Sequence, residues 1–411
     1  MYFECFVVKT ILLMKNWSSI KGVRLASAAA GIKYPDRDDV VIMELAEGSS
    51  TAAVFTQNAF CAAPVTVAKK HLLETSPRYL IINSGNANAG TGEAGMQAAQ
   101  ETCKSLSAAA DCAPNQVLPF STGVIGQQLK TNKISAVIPE LISKLDESSW
   151  DQASKAIMTT DTVAKLVTES IEVNGQLMTV TGMAKGSGMI NPNMATMLAY
   201  VATDVAIAPE LLQKCLQQAV EPSFNSITVD GDTSTNDACV LVASGQSELT
   251  INDENESLYD QLCDLVTKVC MQLARMIVLD GEGATKLIVI DVDQAASIEE
   301  ARNVAYTIAH SPLVKTAFFA SDPNWGRILA AVGRADVKDF AIDKVEIFLG
   351  DVCIVTNGGV ADSYTEEAGQ AVMNEAEINV RVSLKRGEYK TTVLSCDLSY
   401  DYVKINAEYR T

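Results

Sequence analysis

Histidine is nearly missing from this 411-residue chain: there are two, His71 and His310. A Ser-His-Asp triad or a histidine-rich metal centre would have to draw on that pair. A nucleophile in this protein is therefore expected to find its base elsewhere. Long hydrophobic runs are missing too, and none reaches the ~18 residues of a membrane span. The opening MYFECFVVKTILLM comes nearest to a signal peptide, but Glu4 and Lys9 interrupt it. Its basic residues, Lys15, Lys21 and Arg24, follow the apolar stretch instead of preceding it. Ala26-Ser-Ala28 resembles a cleavage site in the wrong context. Roughly the first 15 residues read as an extension, with Met14 a candidate start.

Paired cysteines are absent as well. Of ten cysteines, none forms C-x-x-C, and the nearest two, Cys263 and Cys270, lie seven apart. That pattern suits free, mostly buried thiols in a reducing, cytoplasmic setting, not a disulfide frame or a zinc site. Positive charge is short, with 32 Lys+Arg against 50 Asp+Glu and a net charge of −18. Such a surface disfavours nucleic acid and anionic membrane as partners. The cofactor motifs are incomplete. Lys185-Gly-Ser-Gly188 begins like a dinucleotide loop, but Asn191 stands where the third glycine belongs, and no Walker loop occurs. Asp230–Asp237 begins like a calcium loop, yet Thr235 replaces its glycine and Leu241 its final glutamate. Neither a metal nor a cofactor is expected.

What the chain does have is core material. Apolar residues make up 48% and charged residues 20%, so the chain can bury a sizeable core and is not disordered. Its length suggests two or three domains. Strands are expected over Asp39–Ala46, Arg78–Asn83, Met197–Ile207 and Lys286–Val292. Helices are expected over Glu93–Ala110, Ile138–Leu145 with Pro139 in its first turn, Pro209–Val220 and Leu258–Leu279. Asn174-Gly175 marks a hairpin inside Glu169–Thr181. Lys344–Thr356 and Ile378–Ser395 also read as hairpins, the second turning at Arg386-Gly387. The sum is α+β, a mixed α/β sandwich with mixed and antiparallel sheets.

The densest unusual segment runs from Gly182 to Tyr200, an irregular loop feeding an apolar strand, with Thr196 at the junction. A threonine hydroxyl there can attack the preceding carbonyl, shift the chain to an ester and let water complete the break. Thr196 would then be an N-terminus whose α-amine, of reference pKa ~7.7, lies beside its own hydroxyl. That amine is a base that needs no histidine. Composition alone leaves a plain Gly-rich connector open as the other reading.

Eight segments in order resemble the glutamate N-acetyltransferase (ornithine acetyltransferase) family of arginine biosynthesis. They are Phe55–Asn58 with Ala62–Val65, Asn83–Asn88, Ser121–Gly126, Thr159–Thr162, Lys185–Leu198, Thr228–Asp237, Gly281–Lys286 and Asp322–Arg327. The resemblance implies a two-lobed, self-processed fold cut between Ala195 and Thr196. The products are an α chain over 1–195 and a β chain over 196–411, which stay together as α2β2. It implies acetyl transfer from N2-acetylornithine to Thr196 and on to glutamate. Ornithine and N-acetylglutamate are the products, and acetyl-CoA is an open second donor. Thr196 is then the nucleophile, and Thr122 and Gly123 the oxyanion donors. Thr162, Lys185, Thr196, Glu282, Asn406 and Thr411 match the substrate contacts. Lys185 suits the substrate α-carboxylate and can lower the Thr196 amine's pKa. Asp230, Asp232, Asn236 and Asp237 are expected to order backbone near the site. Two other classes stay in play: a self-processed N-terminal-nucleophile amidohydrolase or aminopeptidase, and an uncut metabolite-binding protein.

Overall fold

A computed structural model describes residues 17–191 and 197–408. The N-terminal extension, the Ala195-Thr196 bond and Thr411 lie outside the described residues. The chain divides into two compact units. The larger runs to Asn225 and adds Asp232–Ile277; the smaller holds Ser226–Gly231 and the chain from Val278 onward. This division does not follow the expected cut, because the larger unit includes chain from both sides of residues 195 and 196.

In chain order the strands of the larger unit are β1 (Val23–Ala28), β2 (Val40–Leu45), β3 (Ser50–Phe55), β4 (Tyr79–Asn83), β5 (Val117–Ser121), β6 (Lys165–Val173), β7 (Gln176–Lys185), β8 (Leu198–Thr203), β9 (Ala206–Ile207), β10 (Ala238–Ala243) and β11 (Thr250–Ile251). One mixed sheet has the order β1-β2-β4-β5, and a second has the order β3-β10-β8-β7-β6. Side chains alternate across a strand, so each strand serves two cores. On β4, Leu80 and Ile82 join Met183, Tyr200 and Val240 of the second sheet in one core, which also buries Trp150. Tyr79 and Ile81 point the other way, into a core shared with helices Gly92–Ala110 and Thr131–Ser143. The near-continuous apolar runs of β4 and β8 follow from this double burial.

The expected hairpin at Asn174-Gly175 forms, with β6 and β7 paired from Lys165↔Ala184 to Val173↔Gln176. Both turn residues have positive φ, 53° and 79°. Helix Pro209–Val220 stands as expected, and its Gln213 amide bonds both Ala53 N–H (3.1 Å) and Ala53 C=O (3.2 Å). That side chain blocks the free edge of β3. Two boundaries differ. The strand expected over Met197–Ile207 divides into β8 and β9. The helix expected from Ile138 begins at Thr131 instead, and Pro139 lies inside it. Ile134, Ile138 and Leu141 form one buried stripe, and that packing carries the helix through the proline.

The smaller unit holds β12 (Leu287–Ala295), β13 (Glu346–Leu349), β14 (Val352–Thr356), β15 (Gly359–Val360), β16 (Glu377–Ser383) and β17 (Tyr389–Cys396). They form one sheet in the order β15-β14-β13-β16-β12-β17. Ile288, Ile290, Val292, Val380 and Val393 pack under helices Ile298–Ala309 and Pro312–Phe319. The hairpin expected over Ile378–Ser395 does not form. β12 inserts between its two arms, parallel to β16 and antiparallel to β17. β12 buries apolar side chains along most of its length, and two flanking strands satisfy its backbone on both edges.

Trp150 is 0% exposed. Trp150→Ala should lower the stability of the larger unit by about 3–5 kcal/mol, read as a fall in the urea midpoint.

Candidate active site

The strand pair β7–β8 frames the site. The two run antiparallel, from Val180↔Thr203 to Lys185↔Leu198. The loop of residues 186–197, with the expected cut inside it, therefore joins two neighbours in one sheet. Its first residues are gripped by the Thr159–Thr162 turn. Asp161 accepts hydrogen bonds from Gly186 N–H (2.7 Å), Lys165 Nζ (2.7 Å) and Thr159 N–H (2.9 Å). Thr160 and Ser187 share a hydroxyl–hydroxyl hydrogen bond of 2.8 Å. At the far end, Met197 C=O accepts from Ala238 N–H at 3.1 Å.

Asp161 and Lys165 both have fully buried side chains. Burial by itself raises the Asp161 pKa. The positive charges of Lys165 and Lys185, with the hydrogen bonds from Lys165 and Thr159, outweigh it and hold the carboxyl well below the ordinary range.

The Ser121–Gly126 segment leaves the end of β5. Lys185 is 9% exposed, and its Nζ donates to Thr122 Oγ1 at 3.2 Å. A hydroxyl that accepts from a cation keeps its own proton for donation, and the cation strengthens that donation. Gly123 has φ +133°, and a Cβ there would sit 2.3 Å from the Gly85 carbonyl carbon. Only glycine fits. The flanking N–H groups are engaged, Thr122 to Asn83 C=O and Val124 to Gly85 C=O. Among the described residues, no hydrogen-bond acceptor is found for the N–H of Gly123. Thr122 and Gly123 are thus neighbouring residues at the end of β5, the first held by Lys185 and the second by its close approach to Gly85.

A buried amide network holds this segment in place. Asn83 accepts from the Ser121 hydroxyl at 2.6 Å and donates to Asn86 C=O at 2.8 Å. Asn236 donates to Ala87 C=O (2.6 Å) and Ser121 C=O (2.9 Å), joining segments far apart in sequence. The 233–237 stretch is itself fixed by Thr56 Oγ1 to Ser234 C=O, Asn58 Nδ2 to Thr233 C=O and Thr56 N–H to Asp237 C=O. The expectation that this stretch orders nearby backbone holds for Asn236.

The expected site residues fall into two groups. In the larger unit the structure brings Thr122, Gly123 and Lys185 together. Thr162 is exposed. In the smaller unit Glu282 is buried and accepts from Asn406 Nδ2 at 2.8 Å. The backbone there is close. A Cβ on Gly283 would lie 2.5 Å from Tyr402 N, and Ser399 Oγ donates to Gly283 C=O at 2.6 Å. The C-terminal helix Tyr400–Ala407 is thus pinned to the Gly281–Lys286 loop, and Asn406 is not on a frayed tail. Asp230 accepts from Tyr402 O–H at 3.4 Å. Asp161 and Lys165 escaped the sequence reading. Their i,i+4 spacing was visible, but nothing in the residue types showed that both would be buried. The nine described cysteines are all free, six of them buried.

The chain matches the model of the ArgJ family over residues 24–411. It is 57% identical over 392 residues to the arginine biosynthesis bifunctional protein ArgJ of Methylococcus capsulatus, covering 95% of this chain and 96% of that protein. It is 53% identical over 393 residues to the protein of the same name from Psychrobacter arcticus, covering 95% and 97%. A crystal structure of the Bacillus halodurans protein of that name is 39% identical, with a TM-score of 0.48, over 51% of this chain and 97% of that one.

Asp161→Asn should leave Lys165 buried without its counter-charge and cost about 3–5 kcal/mol near neutral pH. The Asp161 pKa is lowered on folding, so its stabilisation is complete above the unfolded value of ~3.9 and is lost as pH falls through the lower folded value. The stability gap between wild type and variant, measured by denaturant unfolding, should be flat above about pH 5 and narrow below about pH 4.

Proposed function

We propose that this chain, which belongs to the ArgJ family, cuts itself before Thr196 and uses the freed residue to carry acetyl from N2-acetylornithine to glutamate. It is an acetyltransferase of arginine biosynthesis, with glutamate N-acetyltransferase and amino-acid N-acetyltransferase activity. The observation that carries the reading is the Thr122–Gly123 donor pair, with Lys185 bonded to the Thr122 hydroxyl. Leu198, paired with Lys185, lies two residues past Thr196.

The chemistry follows in two halves. The Thr196 hydroxyl adds to the acetyl carbonyl of N2-acetylornithine while its own α-amine takes the proton. The oxyanion is met by Thr122 O–H and Gly123 N–H. Ornithine departs with that proton on its amine, leaving acetyl-Thr196. The glutamate α-amine then attacks the ester and leaves as N-acetylglutamate, restoring the hydroxyl. Lys185 supplies charge for a substrate carboxylate and for the polarised Thr122 hydroxyl. Thr162, Glu282, Asn406 and Thr411 are assigned to substrate contacts on the family resemblance. Acetyl-CoA serves as the second donor, which would let the enzyme start the pathway as well as recycle acetyl groups. The α and β chains remain joined after the cut because β7 and β8 hold each other by sheet hydrogen bonds. The working assembly is α2β2, in the cytoplasm.

Thr196→Ala should persist as one full-length band on a denaturing gel and show no acetyl transfer. Two fragments from that variant would rule out Thr196 as the cleaving nucleophile. With wild type, ornithine release from N2-acetylornithine should depend on glutamate. Equal release without glutamate would identify an amidohydrolase instead. N-acetylglutamate formation from acetyl-CoA and glutamate tests the second donor.

A further inference from the structure

The Thr159–Thr162 turn supplies one expected substrate contact, Thr162, but its most buried polar group is the Asp161 carboxylate. Burying an ion pair is costly, and well-packed apolar side chains of the same volume would hold a core at least as well. Stability alone therefore does not account for Asp161 and Lys165. Their geometry does. One Asp161 oxygen takes both Lys165 Nζ and Gly186 N–H, each at 2.7 Å. Beside it, Thr160 holds the Ser187 hydroxyl at 2.8 Å. The turn thus fixes the first two residues after β7. The loop's other root is fixed where Met197 C=O meets Ala238 N–H and β8 begins. The Ala195-Thr196 bond lies between two clamped ends.

We propose that Asp161 is a positioning residue for self-cleavage: fixed by Lys165, it anchors Gly186 and counter-charges Lys185, holding the loop root while the Thr196 hydroxyl attacks. The inference rests on the reading that the chain cuts itself at this bond. In that step Thr196 Oγ adds to the Ala195 carbonyl carbon and the C–N bond breaks. The hydroxyl proton passes to the released Thr196 amine, and an Ala195–Thr196 ester remains. Water then hydrolyses the ester to the Ala195 carboxylate and the free hydroxyl. Asp161 neither gives nor takes a proton. It acts because attack needs oxygen and carbon ~3–3.5 Å apart, and a loop loose at its root rarely presents them so.

The test follows cutting of full-length chain made by cell-free synthesis, by denaturing gel and intact mass. It compares wild type, Asp161→Asn, the double variant Asp161→Asn/Lys165→Met, and Asp161→Glu. The double variant removes both charges, so neither is left stranded, and it carries the test if Asp161→Asn alone fails to fold. Each is assayed well below its own melting temperature. The double variant, folded by circular dichroism, should cut about 10²-fold more slowly than wild type, the scale of a ~1 Å misplacement. Asp161→Glu, which keeps the charge, should fall between them. Hydroxylamine, which cleaves esters, should not speed the slow variants, because the ester itself forms slowly. A folded double variant that cuts at the wild-type rate overturns the proposal. So does hydroxylamine restoring the wild-type rate, since the ester would then form without Asp161. A wild-type chain that stays whole is a different result and sinks the self-cleavage reading itself.

Discussion

The pairing of β7 with β8 is the constraint on which the site depends. Lys185 ends one strand and Leu198 starts the next, directly opposite each other. That pairing fixes the span the intervening loop must bridge, and it links chain on both sides of the proposed cut by a ladder of backbone hydrogen bonds. A cut in such a loop releases no strand, because each half keeps its partner in the sheet. The same ladder places Lys185 at the sheet's end, where its ammonium reaches Thr122.

Around that frame, charge is handled locally. The chain is strongly acidic overall, yet the interior of the larger unit concentrates cations at one place, with Lys165 and Lys185 both acting on Asp161. Lys185 then has its hydrogen bond to Thr122 while Asp161 balances its charge without blocking it. The Ser121–Gly126 segment is held differently, by neutral amides. Asn83, Asn86 and Asn236 each donate a side-chain N–H to backbone carbonyls around it. A rigid, satisfied surround of this kind is what the proposed oxyanion role of Thr122 and Gly123 requires.

Much of this was legible in residue order. The Asn174-Gly175 hairpin needed only two residues that tolerate positive φ. The helix expected over Glu93–Ala110 was legible as an alanine-rich run without proline, and Pro209–Val220 by the proline at its first turn. The scarcity of histidine is also read from residue type alone, and it is what makes a freed threonine amine the expected base in the proposed function. The failures share one cause. Pro139 was read as a helix start because local propensity argued so, whereas the buried stripe through Ile134, Ile138 and Leu141 decided the matter. β16 and β17 read as a hairpin because they are sequential and apolar, but β12 came between them from far up the chain.

The sequence by itself determined the kinds of groups available: the order of motifs, the threonine at position 196, the scarcity of histidine, and the glycine at position 123. Those are properties of residue type and local spacing. Only the tertiary structure decided that Asp161 and Lys165 are buried together, that Gly123 must pass within 2.3 Å of backbone for any Cβ it carried, and that Asn236 ties Ala87 to Ser121. Burial and long-range hydrogen bonding arise from which surfaces exclude water from one another, and that is set by packing between segments more than a hundred residues apart.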